Sequence, residues 1–321
     1  MNATPIPGAA RAAMGFVGAL AFAMLTSAHA GPLLDRYARA DAGSPPGQMV
    51  PVGRHRVHAI CVGEGAPLVM FDAGIGGSAL DWWNVQDRVG SRTRACSYDR
   101  AGYGWSERGA APRDAATLDA ELSRLLEALA PDAPVVLVGH SFGGLLAQHF
   151  ARHHPDRVAA LVLVDAMHPQ QFRRFAAAGL DVPSRPDRGL VYGNRELVTA
   201  GLPEPLRPLA FELAKAEKVR VTVFNEMRSM EASAAAAGTG ALPPVPLVVI
   251  AHGARPWARF AGMEDVWRDL QSDLARQSPQ GRLVVAPDAG HAVQTDAPER
   301  VAQEIVDVVE GLRKRDPDAT R

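Results

Sequence analysis

Short apolar runs recur along the chain at residues 56–62, 67–72, 94–98, 134–138, 158–164, 245–251 and 282–286. Several of them, such as Val135-Val136-Leu137-Val138, are continuous rather than alternating. A continuous Val/Leu run suits a strand of a parallel sheet, which is buried on both faces. Helix-like stretches separate several of these runs. The clearest spans 115–129, where Leu118, Leu122, Leu125, Leu126 and Leu129 fall on one face. Asp114 is its candidate N-cap, and Pro131 stands just beyond its end. Strands alternating with helices predict an α/β fold with a mostly parallel sheet covered on both sides.

The rhythm breaks once. Residues 169–243 hold helix-like pieces rich in Arg, Phe and Leu, cut by prolines and glycines. A connection of that length is not a plain loop, and it is read as a helical cap inserted over the carboxyl edge of the sheet. Its small-residue run, Ala232 to Ala241, is read as a hinge or a poorly ordered linker. Residues 31–50 are Pro/Gly-rich and read as a loose leader. The core then comprises 51–168 and 244–315.

Composition narrows the class. The chain has 321 residues, a formal net charge of −1 and 47% hydrophobic residues. That is an ordinary globular composition, without the basic excess a nucleic-acid partner requires. The first 30 residues differ: Arg11 is their only charge, Ala12 to Leu25 is apolar, and Ala28-His29-Ala30 has a small-x-small form. This reads as a signal peptide cleaved after Ala30, and so as a periplasmic or secreted protein. Membrane attachment is expected only if the segment stays uncleaved. Cleavage removes Arg11 and takes the net charge to −1 − 1 = −2. The two cysteines, Cys61 and Cys96, each lie in a strand-like run. Either they bridge two neighbouring strands or they are two buried thiols.

The candidate chemistry centres on Gly139-His140-Ser141-Phe142-Gly143, directly after the run at 134–138 and before the helix-like Gly144–Ala151. A serine on a sharp strand-to-helix turn has its hydroxyl lifted out of the sheet. A serine hydroxyl is a weak nucleophile until a base takes its proton. Among the ten histidines, His291 is the candidate base, in the loop Pro287-Asp288-Ala289-Gly290-His291 after the run that ends at 286.

Three segments together, Gly139–Gly144, Asp99-Arg100-Ala101-Gly102-Tyr103-Gly104-Trp105-Ser106 and Gly290-His291, resemble the α/β-hydrolase fold superfamily over about residues 52–312. The resemblance implies an eight-stranded-type sheet and an acyl-transfer site. It also implies an oxyanion hole built from the backbone N–H of Phe142 and that of Ile75, in the loop Asp72-Ala73-Gly74-Ile75-Gly76-Gly77. Many members carry their acid after the strand matching 245–251, in a Gly-x-Asp pattern; here that place reads Gly253-Ala254-Arg255. Asp165 is the expected acid, since some members place it after the preceding strand. Glu264 and Asp265 are the alternatives. Asp99-Arg100 reads as a structural pair or a turn binder. His140 is expected under the turn or facing the pocket, and His168 lining the site or opening the cap.

The expected function is an exported serine hydrolase cleaving a carboxylic ester or similar acyl bond of a small-molecule substrate. A peptidase or acyltransferase on the same triad is an alternative. So is a non-catalytic binding protein, which the missing Gly-x-Asp acid favours. Dehalogenase and epoxide-hydrolase chemistry is disfavoured, because such superfamily members generally use a carboxylate nucleophile. No cofactor and no metal are expected: H-E-x-x-H does not occur, and Gly74–Gly77 lacks a dinucleotide fingerprint.

Overall fold

The computed structural model describes residues 31–131, 133–180, 199–257 and 260–315. The expected signal peptide at 1–30 and part of the inserted segment, 181–198, lie outside the described residues.

Eight strands form one sheet: β1 (Gln48–Pro51), β2 (Arg56–Val62), β3 (Val69–Asp72), β4 (Ala95–Tyr98), β5 (Val135–His140), β6 (Val158–Val164), β7 (Leu247–His252) and β8 (Gly281–Ala286). Their order is β1-β2-β4-β3-β5-β6-β7-β8. β1 and β2 are antiparallel, as are β2 and β4, and every pairing from β4–β3 to β7–β8 is parallel. The sequence reading did not place β1. Its four residues are too few for a periodicity signal, and they are held by pairing with β2.

Burial explains the unbroken apolar strands. Val69, Val136, Val138, Val162 and Ile250 face one core, shared with helices α2 (Trp83–Gly90) and α10 (Pro298–Arg315). Met70, Leu137, Leu161 and Leu163 face the other, shared with α3 (Ala115–Leu129), α4 (Phe142–His153) and α8 (Met263–Ala275). Each such side chain, once buried, stabilises the fold by about 1.5–3 kcal/mol. Helix α3 has the boundaries its leucine spacing predicts, and Asp114 Oδ1 accepts from Thr117 N at 3.0 Å. A cap of this kind contributes about 1 kcal/mol.

Two sequence expectations need correction. The leader is not loose. It forms α1 (Pro32–Ala38), whose Leu33 and Tyr37 are fully buried beside Ile60, Leu80 and Trp105. The Ala run is not a hinge either. Ala232–Ala237 continues a 21-residue helix, α7 (Glu217–Ala237), because alanine has the highest helix propensity. Ala234 and Ala237 pack against Phe142 and Leu145, and Ser233 Oγ accepts from Ala115 N at 3.0 Å. α7 belongs to the insert between β6 and β7, as do α5 (Gln171–Ala177) and α6 (Arg207–Ala214).

Cys61 and Cys96 are directly opposite across β2 and β4 and are joined as a disulfide.

Candidate active site

The serine sits where strand must become helix within one residue. Ser141, between β5 and α4, has φ 51° and ψ −117°, a conformation that costs a non-glycine residue about 1–3 kcal/mol. The surroundings impose it: Ser141 N donates to Val164 O at 3.1 Å, and its carbonyl accepts from Met167 N at 3.0 Å. The flanking glycines are steric necessities. A Cβ on Gly139 would stand 2.5 Å from Gly143 O, and one on Gly143 would stand 2.5 Å from Asp72 O. The helix therefore starts against both its own strand and the loop after β3.

His291 lies between β8 and a short helix, α9 (Val293–Asp296). Gly290 N donates to Asp296 Oδ2 at 2.8 Å, and His140 Nε2 donates to the His291 carbonyl at 2.9 Å. Across 150 residues of chain, His291 Nε2 faces Ser141 Oγ at 3.1 Å. Its Nδ1 is 2.6 Å from Asp165 Oδ2. An ionised carboxylate only accepts, so Nδ1 carries the proton and Nε2 is left as the acceptor for the serine hydroxyl.

Asp165 follows β6 directly, is fully buried, and has φ 43°. Its Oδ1 accepts from Trp267 Nε1 at 2.9 Å and from His252 N at 3.2 Å. Its Oδ2 faces both His291 and His252 Nδ1, the latter at 2.8 Å. Burial alone raises a carboxyl, but hydrogen bonds from His252 and His291 outweigh it and hold Asp165 below the usual carboxylate range. The alternative acids lie elsewhere. Glu264 accepts from Trp257 N at 2.5 Å and faces His252 Nε2 at 3.0 Å, while exposed Asp265 pairs with Arg268 at 3.3 Å.

The loop after β3 runs against the serine: a Cβ on Gly74 would lie 3.4 Å from Ser141 Cβ. Arg100 holds this loop from behind. It donates to Ala73 O at 2.5 Å, Gly74 O at 2.9 Å and Asp72 Oδ1 at 2.6 Å. In a trans peptide the C=O and the next N–H point in opposite directions. With its carbonyl drawn to Arg100, the Gly74–Ile75 peptide directs the Ile75 N–H away from Arg100. Phe142 opens α4, and the first N–H groups of a helix lack intrahelical acceptors.

The remaining sequence candidates have structural partners. Asp99 and Arg100 do not pair with each other. Asp99 accepts from Ala79 N at 2.8 Å and Trp105 N at 3.0 Å, and it faces His58 Nδ1 at 2.9 Å, so it binds the turn. His140 lies under the elbow, its ring 4.8 Å from that of His291. Burial first, then the neighbouring His291, lowers its pKa to about 3. His168 faces Asp273 at 3.2 Å.

Sequence reading missed His252, Glu226, Trp257 and Trp267. Trp257 and Trp267 stand against His291 at ring distances of 5.1 and 5.8 Å. Glu226, on α7, pairs with Arg100 at 3.1 Å and accepts from Tyr103 OH at 2.7 Å. His252 did have a signal: it ends the strand after which the acid was sought, one residue before Gly253.

The sequence model of the alpha/beta hydrolase family matches residues 69–304. The chain is 26% identical over 263 residues to the dihydrolipoyllysine-residue acetyltransferase component of an acetoin cleaving system from Pseudomonas putida. That match covers 76% of this chain and 64% of the relative, so the chain spans under two thirds of that relative's length. It is also 26% identical over 288 residues to an AB hydrolase superfamily protein of Gibberella zeae, covering 77% of this chain and 87% of the other. Among solved structures, an epoxide hydrolase from Vigna radiata superposes with a TM-score of 0.67 at 19% identity. That superposition covers 82% of this chain and 97% of the other.

Proposed function

Because the chain belongs to the alpha/beta hydrolase family, we propose that it is an exported serine hydrolase that cleaves a carboxylic ester or similar acyl bond without a cofactor. The observation that carries this reading is the hydrogen-bonded series Ser141 Oγ, His291 Nε2, His291 Nδ1, Asp165 Oδ2. His291 takes the serine proton as Oγ forms a bond to the acyl carbon. The tetrahedral oxyanion lies between the amides of Ile75 and Phe142. His291 then gives its proton to the leaving oxygen as the C–O bond breaks. Water, deprotonated by the same imidazole, attacks the acyl-serine and releases the acid. Asp165 holds the ring and stabilises its charged form.

The seating of Asp165 on His291 supports catalysis over a non-catalytic binding role. A hydroxyl at the nucleophile position supports acyl transfer over epoxide opening, since the likeness to epoxide hydrolases is one of fold. The acetyltransferase relative favours acyltransferase as a second reading: an alcohol or thiol would replace water in deacylation. In this reading the insert at 169–243 caps the site, with Glu226 pinning α7 to the core. The Cys61–Cys96 disulfide supports export, because such bonds persist in oxidising compartments. N-terminal sequencing of the exported fraction tests cleavage after Ala30.

The activity is tested with a fluorophosphonate probe on the folded protein and on Ser141→Ala. Labelling of the first and not the second is expected. Equal labelling, or none, overturns the hydrolase reading.

A further inference from the structure

We infer that His252 is a second histidine of the site, held as an imidazolium between Asp165 and Glu264, that positions the acid and sets the pH at which His291 becomes a base. The inference rests on the assignment of Ser141, His291 and Asp165 above.

The argument is one of donors and acceptors. Both ring nitrogens of His252 meet carboxylate oxygens, Nδ1 at Asp165 Oδ2 (2.8 Å) and Nε2 at Glu264 Oε2 (3.0 Å). A neutral imidazole has one N–H and one lone pair, so one of these contacts would set a lone pair against an anionic oxygen. The imidazolium satisfies both. The carboxylates are fixed acceptors in their own right: Glu264 Oε1 takes the Trp257 amide, and Asp165 Oδ1 takes the Trp267 indole and the His252 amide. The set is also sheltered, with Asp165 fully buried and Glu264 5% exposed. Burial pulls His252 down, but Asp165 and then Glu264 more than compensate and raise it above the ordinary histidine value.

Every charged group facing His252 enters the balance. Asp165 comes from the end of β6, Glu264 from α8, and His291 meets the same Asp165 oxygen from the loop after β8. Arg255 and Arg268 line the outer side of the His252–Glu264 pair, and both are exposed. The consequence lies at Asp165 Oδ2, which serves two imidazoles. An imidazolium on one side offsets the carboxylate charge that would otherwise stabilise His291 in its protonated form. His252 therefore sets the charge that His291 meets through that oxygen. The same contact explains how the acid works from β6 while the loop after β7 reads Gly253-Ala254-Arg255: that strand supplies His252 to hold the acid.

The test is the pH profile of kcat/KM for 4-nitrophenyl acetate, with the full chain and with His252→Gln, which keeps a side-chain donor for Asp165. Two imidazoles that share one carboxylate oxygen stand roughly 6 Å apart, and removing a unit charge at that range, at an effective dielectric of roughly 20, moves a titration by about two pH units. The acid limb is expected to move up by that amount, and the high-pH kcat is expected to fall as Asp165 loses part of its support. The second measurement needs no activity: 15N chemical shifts of the histidine rings in Ser141→Ala, where His252 is expected to carry two protons at pH 7. An unmoved acid limb in active His252→Gln, or a singly protonated His252, overturns the inference. It would leave the hydrolase reading intact, because that reading stands or falls on Ser141-dependent labelling of the parent.

Discussion

Glu226 meets Arg100 through both carboxylate oxygens at 3.1 Å, across 126 residues of sequence. The pair joins the inserted helix α7 to the loop that passes Ser141. Both groups are buried, and the attraction of Glu226 and then Asp72 holds Arg100 charged against the opposing effect of burial. Truncation is therefore costly. Glu226→Ala leaves a buried guanidinium with Asp72 as its remaining carboxylate and is expected to lower stability by about 3–5 kcal/mol. Urea unfolding measures it, and a loss below about 1 kcal/mol would make the pair incidental.

The acid assignment separates Asp165 from Asp265. Asp165→Asn keeps the shape but removes the acceptor that fixes the His291 tautomer, and kcat for an ester is expected to fall by about 10⁴-fold. Asp265→Asn changes an exposed residue paired with Arg268 and should leave turnover unchanged. Equal effects of the two variants would reject Asp165.

Acid should destabilise the fold through its buried neutral histidines. Unfolded, His140 takes up a proton near pH 6.5; folded, burial and His291 delay this to about 3. His168, lowered to about 4 by burial despite Asp273, acts in the same sense. Between these values the unfolded state binds more protons, so falling pH favours unfolding. His252 has the opposite sign: its raised pKa gives stability that is complete below pH 6.5 and lost as pH rises. His149, lowered by burial, joins His140 and His168, whereas Asp81 and Asp87, raised to about 6 by burial, bind protons first in the folded state and oppose them. The net loss is on the order of 1 kcal/mol from pH 7 to pH 5. Denaturation midpoints at the two pH values check it; a flat or rising profile contradicts it.

The Cys61–Cys96 bond closes a separation of 35 residues. Constraining an unfolded loop of that length stabilises by about 4 kcal/mol. Denatured, unreduced protein should show no free thiol by titration, and Cys61→Ser with Cys96→Ser should unfold at lower denaturant. Two free thiols in unreduced protein would contradict the bond.

Much of the fold was legible because the central strands bury both faces, and continuous apolar runs record that locally. Helix α3 was legible for the same kind of reason, with leucines on one face and an aspartate cap. The leader and the Ala run were not. Pro32–Ala38 is short and helical because Leu33 and Tyr37 find a surface made by β2, the turn at Ala79 and Leu80 and the loop at Trp105, which lie far along the chain. The Ala run has high helix propensity but no apolar stripe, and it orders against α3 and α4.

At the site, the sequence by itself determined Ser141 and His291 as candidates, since a strand–turn–helix glycine pattern and a histidine after the last strand are local signals. It left Asp165, Glu264 and Asp265 open. Tertiary structure decided that only Asp165 meets His291, because the ends of β6, β7 and β8 converge there. It also brought in His252 and Glu226. A hydrogen bond between groups more than a hundred residues apart depends on where the backbone carries them, and local pattern holds no record of that distance.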